Sequence, residues 1–289
     1  KQSAIFEKEK AEALAQKLQG KEFRVFDVQA KEHATPPPML YDLTELQRDA
    51  NRLYQMSPKQ TLSVMQRLYE NYKALTYPRT DSRYLTEDIV PTLDERLRAV
   101  AKGDFAPLVA DIRKNRRPIA KTCVNNAKVT DHHAIIPTLE LEKADLSELP
   151  VGERNILLLV CRELLCAVAE PYVYEAVTAT FTCGGQTFTA KGRRILSEGW
   201  REIDHIFRAS LKEQPEDEAE PAALPDFTEG QLFDQVEAAV TEHFTAPPKA
   251  YTEDTLLAAM ETAGKEDMPE DAERKGLGTP ATRAGILEK

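Results

Sequence analysis

Strand-like sequence occurs in two places that a long helical stretch keeps apart, and this narrows what the chain can build. Lys21 to His33 alternates, with Phe23 and Val25 opposed to Phe26 and Val28. Far downstream, Tyr174 to Thr182 and Gln186 to Ala190 flank Gly184 and Gly185, which reads as a β-hairpin. The economical arrangement is a β domain whose two sequence segments pair in space around a helical insertion, an α+β fold of several domains. Gln231 to Phe244 is again strand-like, before Pro247 and Pro248 close it.

The insertion carries explicit helix signals. Phe6 to Leu18 already favours a helix ahead of the first strand, and the prolines Pro36 to Pro38 mark a boundary. Asp42 reads as an N-cap with Glu45 three residues on, opening a helix whose Leu43, Leu46, Ala50 and Leu53 share a face. Ser57, Pro58 and Gln60 repeat the signal, and Leu62, Met65, Leu68, Tyr69 and Tyr72 carry the helical spacing to about Ala74. Leu93, Leu97 and Val100 form another stripe, Lys114 to Asp131 is polar loop, and Ile156 to Val168 is too apolar for a surface helix. Thr252 begins a helix with Leu256, Leu257 and Met260. Ala281 to Lys289 reads as a helix still running where the sequence stops, so the expectation is a piece of a longer polypeptide.

The 289 residues carry a net charge of -10, which taken as an average opposes a nucleic-acid partner, because polyanions are bound through Lys and Arg. Two segments hold the acidity: 212–230, with seven acids and one base, and 253–273, with eight acids and one base. Outside them the chain is positive, and from Asn71 to His133 there are 12 Lys and Arg against 8 Asp and Glu. DNA and RNA therefore stay open. No apolar run approaches the ~18 residues of a membrane span, and the first residues lack the order of a signal peptide, which places the protein in the cytoplasm. Cys123, Cys161, Cys166 and Cys183 form no C-x-x-C pair and read as reduced core residues.

Three clusters carry chemistry. In Leu75-Thr76-Tyr77-Pro78-Arg79-Thr80-Asp81-Ser82-Arg83, Pro78 biases Tyr77 to an extended loop after a helix end, and Arg79 projects to the same side where the backbone is extended. A phenol, with a pKa of about 10, needs cationic help at a phosphate before it can attack, and a guanidinium can grip two phosphate oxygens. The bland alternative is a helix-terminating turn in which Arg79 and Asp81 pair. In Asp131-His132-His133-Ala134-Ile135-Ile136-Pro137-Thr138 the adjacent histidines lack metal-pair spacing. One of them can donate to a phosphate with Asp131 orienting it, or both are surface residues. Gly276-Leu277-Gly278-Thr279-Pro280-Ala281-Thr282-Arg283 enters a helix and offers either a phosphate seat or a plain loop; it is neither a P-loop nor a dinucleotide fingerprint.

Taken together and in this order, the clusters resemble type IA DNA topoisomerases, most closely the bacterial topoisomerase III branch, over essentially the whole chain. The resemblance implies that Tyr77 is the nucleophile that forms a 5′-phosphotyrosyl link to single-stranded DNA and frees a 3′-hydroxyl. It implies that Arg79 stabilises the phosphate and that His132 hydrogen-bonds near it. Arg83, Gly278, Thr279, Thr282 and Arg283 match DNA-binding positions, and Thr44 and Gln47 fall in a segment at the DNA-facing hinge. The implied fold is a torus: a β-rich arch over 1–37 and 171–247, a helical domain with the tyrosine over 38–170, and from 248–289 the start of a domain that binds the strand. The family also implies Mg2+ bound by an N-terminal metal domain, acting as a monomer with single-stranded DNA. No Asp-x-Asp occurs in this chain, so the expectation is no metal ligands here and an incomplete enzyme. A single-strand-binding module without catalysis is the competing reading, using basic loops such as Arg113 to Lys121 and Lys191 to Arg201. A recombinase or nicking enzyme would need a different constellation around its tyrosine.

Overall fold

The computed structural model describes residues 5–114, 118–211, 223–234, 237–264 and 276–289. Its described residues divide into two compact units, each built from separate stretches of chain: Lys1–Thr35, Val173–Ser197 and Glu218–Lys249 in one, Pro36–Tyr172, Glu198–Asp217 and Ala250–Lys289 in the other. The acidic stretches of the sequence fall largely at 212–222 and 265–275, outside the described residues, as do residues 115–117 of the basic loop.

The β-rich unit opens with α1 (Lys8–Leu18) and the strand β1 (Phe23–Thr35). The hairpin expected around the glycine pair is present as β2 (Tyr172–Cys183) and β3 (Gln186–Ser197), paired antiparallel from Val173 opposite Ser197 to Cys183 opposite Gln186. Gly184 and Gly185 both take positive φ, as a tight hairpin turn requires. The sheet order is β3-β2-β1-β4, so the early strand and the late hairpin do share one sheet. Phe23, Phe181, Phe188, Phe227 and Phe233 cluster on one face of it. The strand-like stretch from Gln231 shrinks to β4 (Leu232–Phe233), which pairs only with Phe23 and Arg24. The described residues 237–250 form no regular element and are almost all exposed. Alternation without a partner edge does not make a strand.

The helical unit follows its caps closely. α2 (Leu43–Tyr54) starts at Asp42, whose carboxylate accepts from the Glu45 N–H at 2.8 Å. α3 (Pro58–Glu70) starts at a complete capping box between Ser57 and Gln60. It stops four residues short of the expected Ala74: Lys73 turns left-handed (φ 53°), and the Ala74 N–H reaches back to the Leu68 carbonyl at 2.9 Å. A short 3-10 turn leads into α4 (Leu93–Val100), then α5 (Phe105–Lys114) and α6 (Val151–Ala167). α6 is buried nearly all round, as its composition demands. α7 (Trp200–Ala209) packs on α6, so the described residues 198–211 group with the helices. α8 (Glu253–Thr262) and α9 (Pro280–Leu287) join the same unit against α2 and α3. Among the described residues no helix is long and apolar enough to cross a membrane.

Candidate functional site

The left-handed turn at Lys73 sends the chain out of α3 into the tyrosine motif, and a second segment, 132–138, laces it in place. Leu75 bridges to Pro137. The Thr76 N–H donates to the Ile136 carbonyl at 3.0 Å, and the Thr76 hydroxyl accepts from the Ile136 N–H at 3.0 Å. On the far side of Tyr77, Thr80 is buried and carries three bonds. Its carbonyl accepts from the Leu43 N–H (3.1 Å), its hydroxyl donates to the His132 carbonyl (2.8 Å), and that hydroxyl accepts from the Ser82 N–H (3.1 Å). Ser82, also buried, donates to the Lys128 carbonyl at 2.9 Å. Further along, the Ala134 N–H meets the Tyr84 carbonyl and the Ile135 N–H meets the Tyr41 carbonyl.

This lacing fixes three rings together. The Tyr77 and His132 ring centroids lie 4.2 Å apart at 36°, and the Tyr69 ring, from α3, meets Tyr77 edge-on at 5.6 Å. Tyr77 is half-buried, while Arg79 and His132 are exposed. Among the described residues Arg79 makes no hydrogen bond or ion pair, so the self-paired Arg79–Asp81 turn is not formed. Nor does Asp131 hydrogen-bond the His132 ring. The neighbouring His133 faces inward: its Nδ1 lies 2.7 Å from the Ala134 carbonyl, and burial lowers its pKa, keeping it neutral at pH 7. The corner therefore joins a half-buried phenol to an imidazole, and the exposed Arg79, two residues on, makes no hydrogen bond or ion pair among the described residues. Those are the groups needed to attack and charge-balance a phosphate.

The other expected residues sit elsewhere in the same unit and are employed differently. Arg83 donates Nε to the Leu40 carbonyl (3.0 Å) and Nη2 to the Met39 carbonyl (3.3 Å), tying the motif to the segment ahead of α2. Gly276 and Gly278 both have φ +69°, and a Cβ on Gly276 would lie 2.3 Å from the Met260 carbonyl oxygen, so the turn can only be made by glycine. Thr279 and Thr282 form a reciprocal capping box at the start of α9. Arg283, 2% exposed, points inward, donating to the Leu277 carbonyl (3.2 Å) and the Thr44 hydroxyl (3.0 Å) with Glu261 at 3.5 Å. Thr44 and Gln47 are fully buried; the Gln47 amide donates to the Pro58 carbonyl at 2.9 Å, and its Oε1 has no partner. In this conformation Thr44, Gln47 and Arg283 join α2, α3 and α9 rather than face solvent.

Sequence reading missed the supporting residues. Thr76, Thr80 and Ser82 were visible only as polar letters inside the motif. The apolar stretch that became α6 also conceals Arg162 and Glu163. Arg162 is buried and reaches the Tyr41 hydroxyl, Asp49 (3.0 Å), Asp204 (3.0 Å) and Glu163 (3.3 Å). Burial raises the Glu163 pKa to about 7 despite the nearby guanidinium. A signal was present: two adjacent charges in the otherwise apolar run from Ile156 to Val168 have to be paired inside. The four cysteines are free and buried, and burial pushes the thiols of Cys123 and Cys161 up to about 11 and about 12, which makes them unreactive. Among the described residues no group of three or more His, Cys, Asp or Glu side chains could hold a metal ion.

A family profile described as DNA topoisomerase matches residues 1–289. DNA topoisomerase 3 of Shouchella clausii is 41% identical over 297 residues, covering 100% of this chain and 39% of that protein. DNA topoisomerase 3 of Bacillus subtilis is 40% identical over 296 residues, with 100% and 40% covered. The chain thus spans about two fifths of the curated relatives it matches. Full-length topoisomerase I from Thermotoga maritima has the same fold over 100% of this chain and 43% of its own, with a TM-score of 0.69 at 19% identity. By the whole-length profile match and these relatives, the chain belongs to the DNA topoisomerase family.

Proposed function

We propose that this chain is the transesterifying part of a type IA DNA topoisomerase of the topoisomerase III branch, which cuts and reseals single-stranded DNA to change its topology. The observation that carries the reading is the three-ring corner: Tyr77 is packed against His132 at 4.2 Å and against Tyr69 at 5.6 Å, in a loop whose Arg79, two residues on, has no ion pair among the described residues. In the proposed step the Tyr77 Oη–P bond forms as the P–O3′ bond breaks. The phenolic proton leaves and the departing 3′-oxygen takes one up, so the reaction is balanced and religation is its reverse. Arg79 carries charge to the phosphate, and His132 donates a hydrogen bond to it. The Mg2+ implied by the resemblance is assigned to a metal domain outside this chain, and the partners are that domain and single-stranded DNA, in a cytoplasmic monomer. The β-rich unit serves as the arch, the helices from Pro36 carry the nucleophile, and the stretch from 248 begins the strand-binding domain. Arg83, Gly278, Thr279, Thr282, Arg283, Thr44 and Gln47 line or support the strand path.

The test mixes this chain with a separately made metal domain, Mg2+ and a 3′-labelled oligonucleotide. A covalent adduct is expected with the wild type and none with Tyr77→Phe, and the chain alone relaxes no supercoils. An adduct that survives Tyr77→Phe, or binding with no adduct from folded partners, overturns the nucleophile assignment.

A further inference from the structure

We infer that the groove beside Tyr77, walled by Tyr69, Lys73, Thr76 and Thr138, seats the nucleotide immediately 3′ of the scissile phosphate; this rests on the reading of Tyr77 as nucleophile. The groove is open, encloses about 460 Å3 and is also bordered by His132 and Glu140. That volume lies in the range of small-ligand sites. Polarity decides which nucleotide belongs there. When tyrosine takes the 5′-phosphate, the strand that stays bonded to the protein starts with the nucleotide bearing that phosphate. This nucleotide sits one ester bond from the Tyr77 oxygen and must rest on whatever adjoins the ring. The rings that adjoin it are His132, at 4.2 Å, and Tyr69, edge-on at 5.6 Å; beyond Tyr69 stands the Lys73 ammonium, 5.9 Å from the Tyr69 centroid.

The wall is suited to a base and a phosphate together. Tyr69 is half-buried on α3, so its ring is a fixed apolar surface, and Lys73 is exposed on a flexible stem. The Lys73 backbone does not move with that stem. It is locked in the left-handed turn, where its carbonyl accepts from the Thr138 hydroxyl and the next carbonyl, Ala74, accepts from the Thr138 N–H at 2.9 Å. Glu140 would repel a phosphate, but Lys143 pairs with it at 3.0 Å and offsets its charge. Because the Thr138 hydroxyl is already engaged, few groups are left to read a base edge. The seat therefore holds any base by ring contact and the next phosphate, on the 3′ side of that nucleotide, by Lys73, with little sequence preference.

Titrating the 15N-labelled chain with the 5′-phosphorylated trinucleotide pTpTpT, followed by amide NMR shifts, tests this. Shifts are expected at Lys73, Thr76 and Thr138. Lys73→Gln, at an exposed site that keeps the turn, should weaken binding roughly fivefold through the lost phosphate contact. Replacing T by A or C should change affinity less than roughly threefold. Shifts at Arg79 and His132 without any at Lys73 and Thr138, or an unchanged affinity in Lys73→Gln, overturn the seat and leave the nucleophile assignment standing. No shifts anywhere overturn both.

Discussion

Two arginines in the helical unit come from comparable motifs and meet opposite fates. Arg79 stands in an extended loop, exposed, with no ion pair among the described residues, while everything around it is tied down: Thr76 to Ile136, Thr80 to His132, Ser82 to Lys128. Arg283 follows a glycine turn at a helix start and is consumed, with Leu277, Thr44 and Glu261 as partners and 2% of its surface exposed. A phosphate can be met only by a cation whose charge has not already been spent on the fold. On the proposed reading, the contrast separates a corner that reacts from a corner that holds three helices together, which residue type alone does not reveal.

The largest effect on stability should come from breaking the holding corner. Arg283→Ala removes a buried guanidinium and leaves the Thr44 hydroxyl and the Leu277 carbonyl without their donor, at a cost of about 2–4 kcal/mol. The loss should be read as faster amide exchange at Thr282 and Arg283, whose N–H groups bond the Thr279 carbonyl, together with a lower urea midpoint. An unchanged midpoint and unchanged exchange would mean that the corner is not held by this side chain.

Thr80→Val comes next and tests whether the reactive corner depends on its buried frame. Valine keeps the shape and removes one hydroxyl, so the His132 carbonyl loses its donor and the Ser82 N–H its acceptor, which should cost about 1–3 kcal/mol. Because the same bond holds the loop that presents His132 to Tyr77, the adduct yield should fall by more than the folded fraction does.

These two sites also mark how far the sequence could be read. Caps were legible residue by residue at Asp42, Ser57 and Thr252, because a cap is a local bond between positions three apart. The hairpin at Gly184 and Gly185 was legible for the same reason. Motif order singled out Tyr77, Arg79 and His132, whereas Tyr69 and Thr80 stayed hidden: they meet Tyr77 and His132 through contacts that only tertiary structure brings near. Burial of Arg283 and Arg162 was equally hidden, since an arginine reads as a surface residue until its partners are known. The strand after Gln231 failed in the other direction: its alternation was local, but among the described residues no neighbouring edge takes it up beyond Phe233.

A smaller, pH-dependent effect is expected at Asp42, where the two corners meet: it caps α2, and the next residue, Leu43, donates to Thr80. Burial raises the Asp42 pKa from 3.8 to about 6, against the pull of the Glu45 N–H and Arg83. A raised carboxyl holds its proton more tightly in the folded protein. Its contribution is therefore fully present below pH ~4, is lost as pH rises through 6, and is flat above that. Asn caps a helix as well as Asp does, without the charge. Asp42→Asn should therefore leave stability unchanged at pH 4 and raise it at pH 7.5 by about 1–2 kcal/mol, flattening the urea midpoint between those values. A midpoint lowered at pH 7.5 would show that the charged form is the one the fold needs.

The smallest stability effect belongs to Arg79, and its smallness is the sharpest form of the comparison. An exposed side chain with no ion pair among the described residues can be cut back at a cost of no more than about 0.5 kcal/mol. Arg79→Ala should thus match the wild type in urea midpoint and keep the Tyr77–His132 contact, while Arg283→Ala loses several times that amount. In the adduct assay the order should reverse: Arg79→Ala loses the charge at the phosphate and falls by about 100-fold or more, the scale set by removing one charge-stabilising group from a transition state. Arg83 provides the internal control, since its donors already serve the Met39 and Leu40 carbonyls. Arg83→Ala should lower stability and adduct yield together. If Arg79→Ala destabilised the fold as much as Arg83→Ala does, its guanidinium would be structural and the division between reacting and holding arginines would collapse.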